Sequence, residues 1–235
     1  MFNVSRPATQ PECSKKTGYN TAAIVLELEN IFLGKCYLCE QSKLTDPEIE
    51  HFIPHQNDDS LKYNWHNLYY ACSRCNSIKG ARHINLLDCC DPETDVFKKI
   101  RIVLPTIPSD EIRVQAQDPS DAKSVNTAIL LDKCYNDQTT GLRGITRNAL
   151  MEKLQEEYLY LLTEVQAAIH QRSTQTEVRL ALEKIKVMLG CDYPFSAIWK
   201  WYVMGHTALL KRLPDLALTA SLTSPQTDKH ISNPT

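Results

Sequence analysis

Two short cysteine pairs constrain this chain more than any other feature. Cys36-x-x-Cys39 and Cys72-x-x-Cys75 lie 32 residues apart in a chain of 235. Each pair can pinch one ion from one side, and four thiolates match the tetrahedral preference of zinc. A disulfide framework is the alternative for nine cysteines. It belongs to small secreted scaffolds, and Met1 to Gln10 carry no apolar run of the kind a secretory leader needs. The expectation is a cytoplasmic protein with four zinc-bound cysteines and no membrane partner, since no apolar stretch approaches the roughly 18–20 residues of a span. Cys13, Cys89, Cys90, Cys134 and Cys191 lack ligand spacing and read as packed or surface thiols, with adjacent Cys89 and Cys90 open to oxidation.

The rest of the chain divides by pattern. Residues 1–20, with Pro7, Pro11 and Gly18, read as a loose N-terminal arm. Residues 21–33 have apolar side chains at helical spacing, with Thr21 placed to cap and Gly34 to terminate. Residues 40–75 read as small strands and loops, and residues 76–80 as the start of a turn or helix. Val96–Leu104 and Glu111–Gln115 have the look of a short hairpin. From Asp121 the period becomes helical. Amphipathic runs cover 121–134, 144–171 and 174–189, and a very apolar segment covers 195–204. Boundaries at 20, 118 and 210 follow, with a flexible tail over 211–235. The apolar helical faces fit either the chain's own core or a partner subunit.

Polar chemistry concentrates between the cysteine pairs. Glu50-His51 precedes Pro54, Trp65-His66-Asn67 leads into the second pair, and Asn76 and Lys79 follow it. Zinc closing the loop would draw Glu50, His51, Asn67 and Asn76 together while leaving them outside its own filled shell. Carboxylate and amide oxygens suit a hard cation such as Mg²⁺ or Mn²⁺. A neutral imidazole beside them can take a proton from water. Such a set fits a one-metal phosphodiesterase, and the competing reading is a purely structural zinc module that binds nucleic acid or protein. Net charge of −2 excludes a broadly basic coat. Arg82, Lys98, Lys99 and Arg101 could still form a local patch for phosphate contacts, or an ordinary solvated face. Tyr63, Trp65, Tyr69 and Tyr70 fit core packing or base stacking equally well. There is no G-x-x-x-x-G-K-[ST] motif, so ATP binding lies elsewhere.

Cys36-x-x-Cys39, Glu50-His51 with Pro54, Asn67-Leu68 and Cys72-x-x-Cys75-Asn76 with Lys79 follow one another in an order that resembles the HNH endonucleases. The segments EHFIPH, NLYYACSRCNSIKG, NLLD and TAILLDK are similar to the PtuB-type HNH subunits of Septu and retron antiphage systems. The resemblance implies an α+β, mostly α fold: a zinc-stapled ββα-metal nuclease core over 21–118 and a helical region over 119–210. It implies His51 as the general base, Glu50 and Asn76 as ligands of a catalytic Mg²⁺ or Mn²⁺, and Asn67 as the residue that holds the loop and orients His51. Lys79 would face the scissile phosphate, and Cys36, Cys39, Cys72 and Cys75 would hold structural zinc. Many members have Asp or His at the Glu50 position and His at the Asn76 position, so this pair departs from the common pattern. His55 and His66 are candidates for extra ligands, though water and phosphate oxygens can fill the shell. The implied partners are a nucleic acid substrate, an ABC-type ATPase subunit of the PtuA kind and, in retrons, a reverse transcriptase with its non-coding nucleic acid. Between DNA and RNA the residues do not choose.

Overall fold

The computed structural model describes residues 1–105, 111–138 and 146–213. The first helix, α1 (Ala22–Ile31), starts on a Thr21 hydroxyl that accepts from the Ile24 N–H, as its sequence predicts. It ends through two left-handed residues, Leu33 and Gly34, and the Gly34 N–H returns to the Glu29 carbonyl at 2.8 Å. That reversal delivers the chain into the first cysteine turn.

The next elements are β1 (Pro47–His51), a helical turn α2 (Asp59–Lys62), a 3₁₀ turn (Trp65–Asn67), β2 (Leu68–Cys72) and α3 (Ser73–Lys79). β1 and β2 pair antiparallel, with Glu48 opposite Ala71, Glu50 opposite Tyr69 and His51 opposite Leu68. Every residue of β2 is buried, so the second cysteine pair hangs on a strand covered on both faces. Helix α3 begins at the second pair itself, because Cys72 caps it: the Cys72 sulfur accepts from the Cys75 N–H. The sequence placed that start three residues later.

Val96–Leu104 is half helix and half strand. The Asp95 carboxylate accepts from the Lys98 N–H and winds Val96–Lys99 into α4 before β3 (Ile100–Val103) pairs antiparallel with β4 (Arg113–Ala116). Four longer helices follow: α5 (Ala122–Asn136), α6 (Arg147–Ile169), α7 (Gln175–Met188) and α8 (Ser196–Met204), then a last turn α9 (Thr207–Leu210). α6 and α7 pack along each other, and α7 opens on a reciprocal Thr174–Glu177 capping box. The expected tail over 211–235 lies outside the described residues from position 214 onward. None of the described helices is long and apolar enough to cross a membrane.

One open reading is settled and one expectation changes. The apolar 195–204 segment, which fits either the chain's own core or a partner, spends its large side chains on the core. Trp199 and Phe195 are buried, and the Trp201 indole donates to the Ile100 carbonyl at 2.9 Å. The first residues are no loose arm. Met1 and Phe2 are buried, and Arg6 lies over the Tyr69 ring while donating to the Leu68 carbonyl at 2.6 Å. A guanidinium satisfied by carbonyls and aromatic faces lets a polar segment seal a core. That core is one contiguous cluster, running from α1 through β2 and α5 to α8 without a gap at residue 118.

Candidate active site

The two cysteine pairs meet. The sulfurs of Cys36, Cys39, Cys72 and Cys75 all lie within 4.8 Å of one another, all four residues are buried, and the Cys39 and Cys72 sulfurs are 3.9 Å apart. A tetrahedron with 2.3 Å zinc–sulfur arms puts its sulfurs about 3.8 Å apart, so the cluster fits zinc. The other three thiols hold the Cys72 sulfur well below the ordinary thiol range by hydrogen bonding to it, while burial pushes Cys39 well above. Four buried thiols competing for one negative charge are what a divalent ion would relieve. The helical half supports the cluster: the Tyr135 hydroxyl on α5 donates to the Cys39 carbonyl at 3.2 Å.

β1 and α3 then place the polar residues. Strand alternation puts Glu48 and Glu50 on the face toward α3, where Asn76 and Lys79 stand three residues apart. The Asn76 amide donates to Glu48 at 2.6 Å, and the Lys79 ammonium reaches Glu50 at 2.5 Å. Lys79 is fully buried and also donates to the His51 carbonyl at 2.9 Å. It is thus not placed to meet a phosphate, and its charge is spent inside the fold. Burial pushes the Glu50 carboxyl up to about 7, with the Lys79 ammonium pulling against it. Glu48 is the residue that sequence reasoning missed. The available signal was its i, i+2 spacing from Glu50 on a strand.

His51 turns to the other side of the strand end. Its Nε2 lies 3.0 Å from the Lys62 carbonyl. A carbonyl only accepts, so Nε2 carries the proton and Nδ1 is left as the basic nitrogen. Tyr19 and His55 flank the ring at 4.8 and 4.6 Å. Burial, joined by the nearby Lys79 and Lys62 charges, holds the imidazole below its ordinary value, so it is neutral at pH 7. Asn67 braces this loop. Its side chain accepts from the Ile53 N–H at 2.7 Å and donates to the Ile53 and Leu61 carbonyls at 2.8 and 3.0 Å. Every one of these contacts is to backbone, so Asn67 shapes the segment that carries His51.

The structure therefore pairs Asn76 with Glu48 and Glu50 with Lys79, and sets Glu50 and His51 on opposite faces of the β1 end, bridged by Lys79. Among the described residues, three or more His, Cys, Asp or Glu ligand atoms come together only at the four cysteines and at Asp88–Cys89–Cys90. His66 is exposed, and His55 accepts from the Asn57 N–H. Trp65, Tyr69 and Tyr70 are buried and belong to the core. Of the basic cluster, Lys98 meets Asp95 at 3.1 Å, Lys99 meets Asp121 at 2.8 Å, and Arg101 lies over Trp201. Arg82 is exposed.

The Glu50–Lys79 pair carries a stability prediction. Lys79→Met leaves a buried carboxylate without its cation. Breaking such a pair costs about 3–5 kcal/mol, and proton uptake by Glu50 keeps the loss near the lower end. Urea unfolding of the zinc-loaded protein is the check, and a loss below about 0.5 kcal/mol, the range of ordinary surface substitutions, would contradict the buried pairing.

The cysteine cluster, the antiparallel strand pair and the helix that follows it lie in one segment of the chain. Residues 36–82 match the family model for HNH endonuclease. Among curated proteins, the chain is similar to "Septu protein PtuB" of Bacillus thuringiensis, 35% identical over 97 residues, which is 38% of this chain. The match spans about a third of that relative's length, 31%. No solved structure matches the chain.

Proposed function

We propose that this protein is a metal-dependent endonuclease that hydrolyses phosphodiester bonds of nucleic acid, acting as the cutting subunit of an antiphage defence complex with an ATPase partner. The observation that carries the reading is His51: a neutral imidazole whose Nε2 is committed to a backbone carbonyl and whose Nδ1 is left as base, at the end of the strand that also carries Glu48 and Glu50, inside a segment matching HNH endonuclease. The match to a Septu protein supports the defence setting and the expectation of a partner.

Glu50 and Asn76 would hold a hard cation, with Glu48 contributing a second carboxylate. Carboxylate and amide oxygens suit Mg²⁺ or Mn²⁺, with water and a phosphate oxygen completing the shell. Such an ion supplies charge neutralisation at the phosphate and at the departing 3′ oxygen. The protein's own part is to position and to move a proton. His51 Nδ1 takes a proton from a water at the end of β1, the water oxygen bonds to phosphorus, and the bond to the 3′ oxygen breaks. Lys79 ties the Glu50 carboxylate to the His51 backbone, so the acidic edge and the base keep a fixed relation. Asn67 holds the loop from which the imidazole projects.

The test is a cleavage assay on plasmid DNA and on structured RNA, with the chain alone and co-expressed with any ATPase encoded beside its gene. Cleavage is expected with Mg²⁺ or Mn²⁺ and none in EDTA. Asn76→Ala should weaken Mn²⁺ binding by calorimetry as well as lower cleavage. A protein that retains zinc but cuts neither substrate, alone or with its partner, would favour the zinc-bound binding module.

A further inference from the structure

Outside the site just described, the strongest concentration of reactive groups is the segment Asp88–Cys89–Cys90. It follows the turn after α3 and is pinned by the Leu87 N–H, which donates to the Thr127 hydroxyl of α5 at 2.8 Å. The two sulfurs and an Asp88 carboxylate oxygen lie within 4.8 Å of one another; Cys89 is buried and Cys90 is partly open. Asp88 is held in place, its carboxylate accepting from the Cys90 N–H at 2.7 Å and from the Tyr69 hydroxyl at 2.5 Å. The positive neighbour is Arg6, whose guanidinium lies 4.9 Å over the Tyr69 ring.

We propose that Cys89 and Cys90 form a covalent modification site for hydroperoxides, with Cys90 as the nucleophile and Cys89 as the resolving thiol, separate from the four zinc-type cysteines. Three features of the place favour this chemistry. Cys90 is the member of the pair that solvent can reach. Hydrogen bonding from the Cys89 thiol and the Arg6 charge bring its sulfur down to about 7, against the pull of burial. Cys89 goes the other way, pushed well above the ordinary range by the same hydrogen bond and by burial. One sulfur is therefore an anion near neutrality while its neighbour keeps its proton, the division of labour a reactive pair needs.

The chemistry balances with a hydroperoxide as the two-electron oxidant. The Cys90 thiolate attacks the O–O bond of hydrogen peroxide, a sulfur–oxygen bond forms, and hydroxide leaves and takes a proton from solvent. The Cys89 thiol then attacks the Cys90 sulfenic acid, a sulfur–sulfur bond forms, and water leaves. Two thiols and one peroxide become one disulfide and two waters. The change also removes the anion that faces Arg6. It strikes the segment on which the N-terminus rests, since the Val4 N–H donates to the Cys89 carbonyl at 3.0 Å.

The test uses the full zinc-loaded chain, a titration of hydrogen peroxide, alkylation of remaining thiols and peptide mapping. Cleavage after Arg82 and Lys98 isolates residues 83–98, which contain only these two cysteines. Exposed Cys191 is the internal comparator. The 83–98 peptide should lose two hydrogens at a peroxide concentration about tenfold below that oxidising Cys191, as thiolate character outweighs exposure. Cys89→Ser should leave a sulfenic acid on Cys90 that dimedone traps, and Cys90→Ser should abolish oxidation of the peptide. Oxidation of Cys191 first, or a peptide untouched when zinc is released from the other cluster, would overturn the proposal. So would a second zinc per chain that disappears in Cys90→Ser, because the pair would then be ligands.

Discussion

His51→Ala should lower cleavage of a phosphodiester substrate by about 10²–10⁴-fold, the range that a positioned general base supplies. The loss should fall on kcat. Nothing in the geometry gives His51 a part in holding nucleic acid, and its Nε2 is already engaged with the Lys62 carbonyl. Zinc content and unfolding midpoint should stay close to those of the parent, because the ring is half-buried at the end of β1 and Asn67, not His51, ties the loop to its neighbours. His51→Gln separates the base from mere polarity: an amide can occupy the same space but cannot accept a proton near neutral pH, so it should be as inactive as Ala. Single-turnover cleavage with saturating Mg²⁺ and zinc analysis of the same samples make the check. A variant that cuts within threefold of the parent would remove His51 from the chemistry.

The second large effect lies in the cysteine cluster. Cys72→Ser removes a sulfur that lies 3.9 Å from Cys39 and that also caps α3 by accepting from the Cys75 N–H. A structural zinc contributes apparent binding free energy of about 10–16 kcal/mol in small zinc modules, which exceeds the whole stability of an ordinary domain. Losing one thiolate, or stripping the ion with a strong chelator, should therefore unfold residues 36–79 cooperatively. Circular dichroism and proteolysis read this, and the α6–α7 helices, which pack chiefly on each other, should be the last to go. Cys191→Ser is the control: that cysteine is exposed and should leave stability unchanged. Full folding of a metal-free Cys72→Ser protein would show that the four buried thiols pack as hydrophobes alone.

Much of this arrangement is legible from residue order. Paired cysteines at knuckle spacing announce their own convergence, since few other uses of four thiols need that pattern. The long helices are legible because their apolar period is 3.6, and Thr21 and Gly34 mark their places at the ends of α1. What escapes the sequence is where tertiary packing sends polar groups. Nothing in the string of residues says that Lys79 turns inward to Glu50 while Arg82, three positions on, faces water. Glu48 gained its place opposite Asn76 only when β1 acquired a register, which fixes the face of every second residue. The N-terminal residues looked loose because their composition is polar, yet Phe2 and the Arg6 guanidinium find buried partners that lie far along the chain. The 195–204 segment suits the chain's own core first and a partner's surface second. The Trp201 bond to Ile100 decides for the core.

The most direct test of the central claim is a crystal of the zinc-loaded protein soaked in Mn²⁺ and measured at the absorption edges of both metals. The account predicts zinc signal among Cys36, Cys39, Cys72 and Cys75, and manganese signal at the edge formed by Glu48, Glu50 and Asn76. Manganese at an unrelated surface position, with zinc alone at the cysteines, would contradict it.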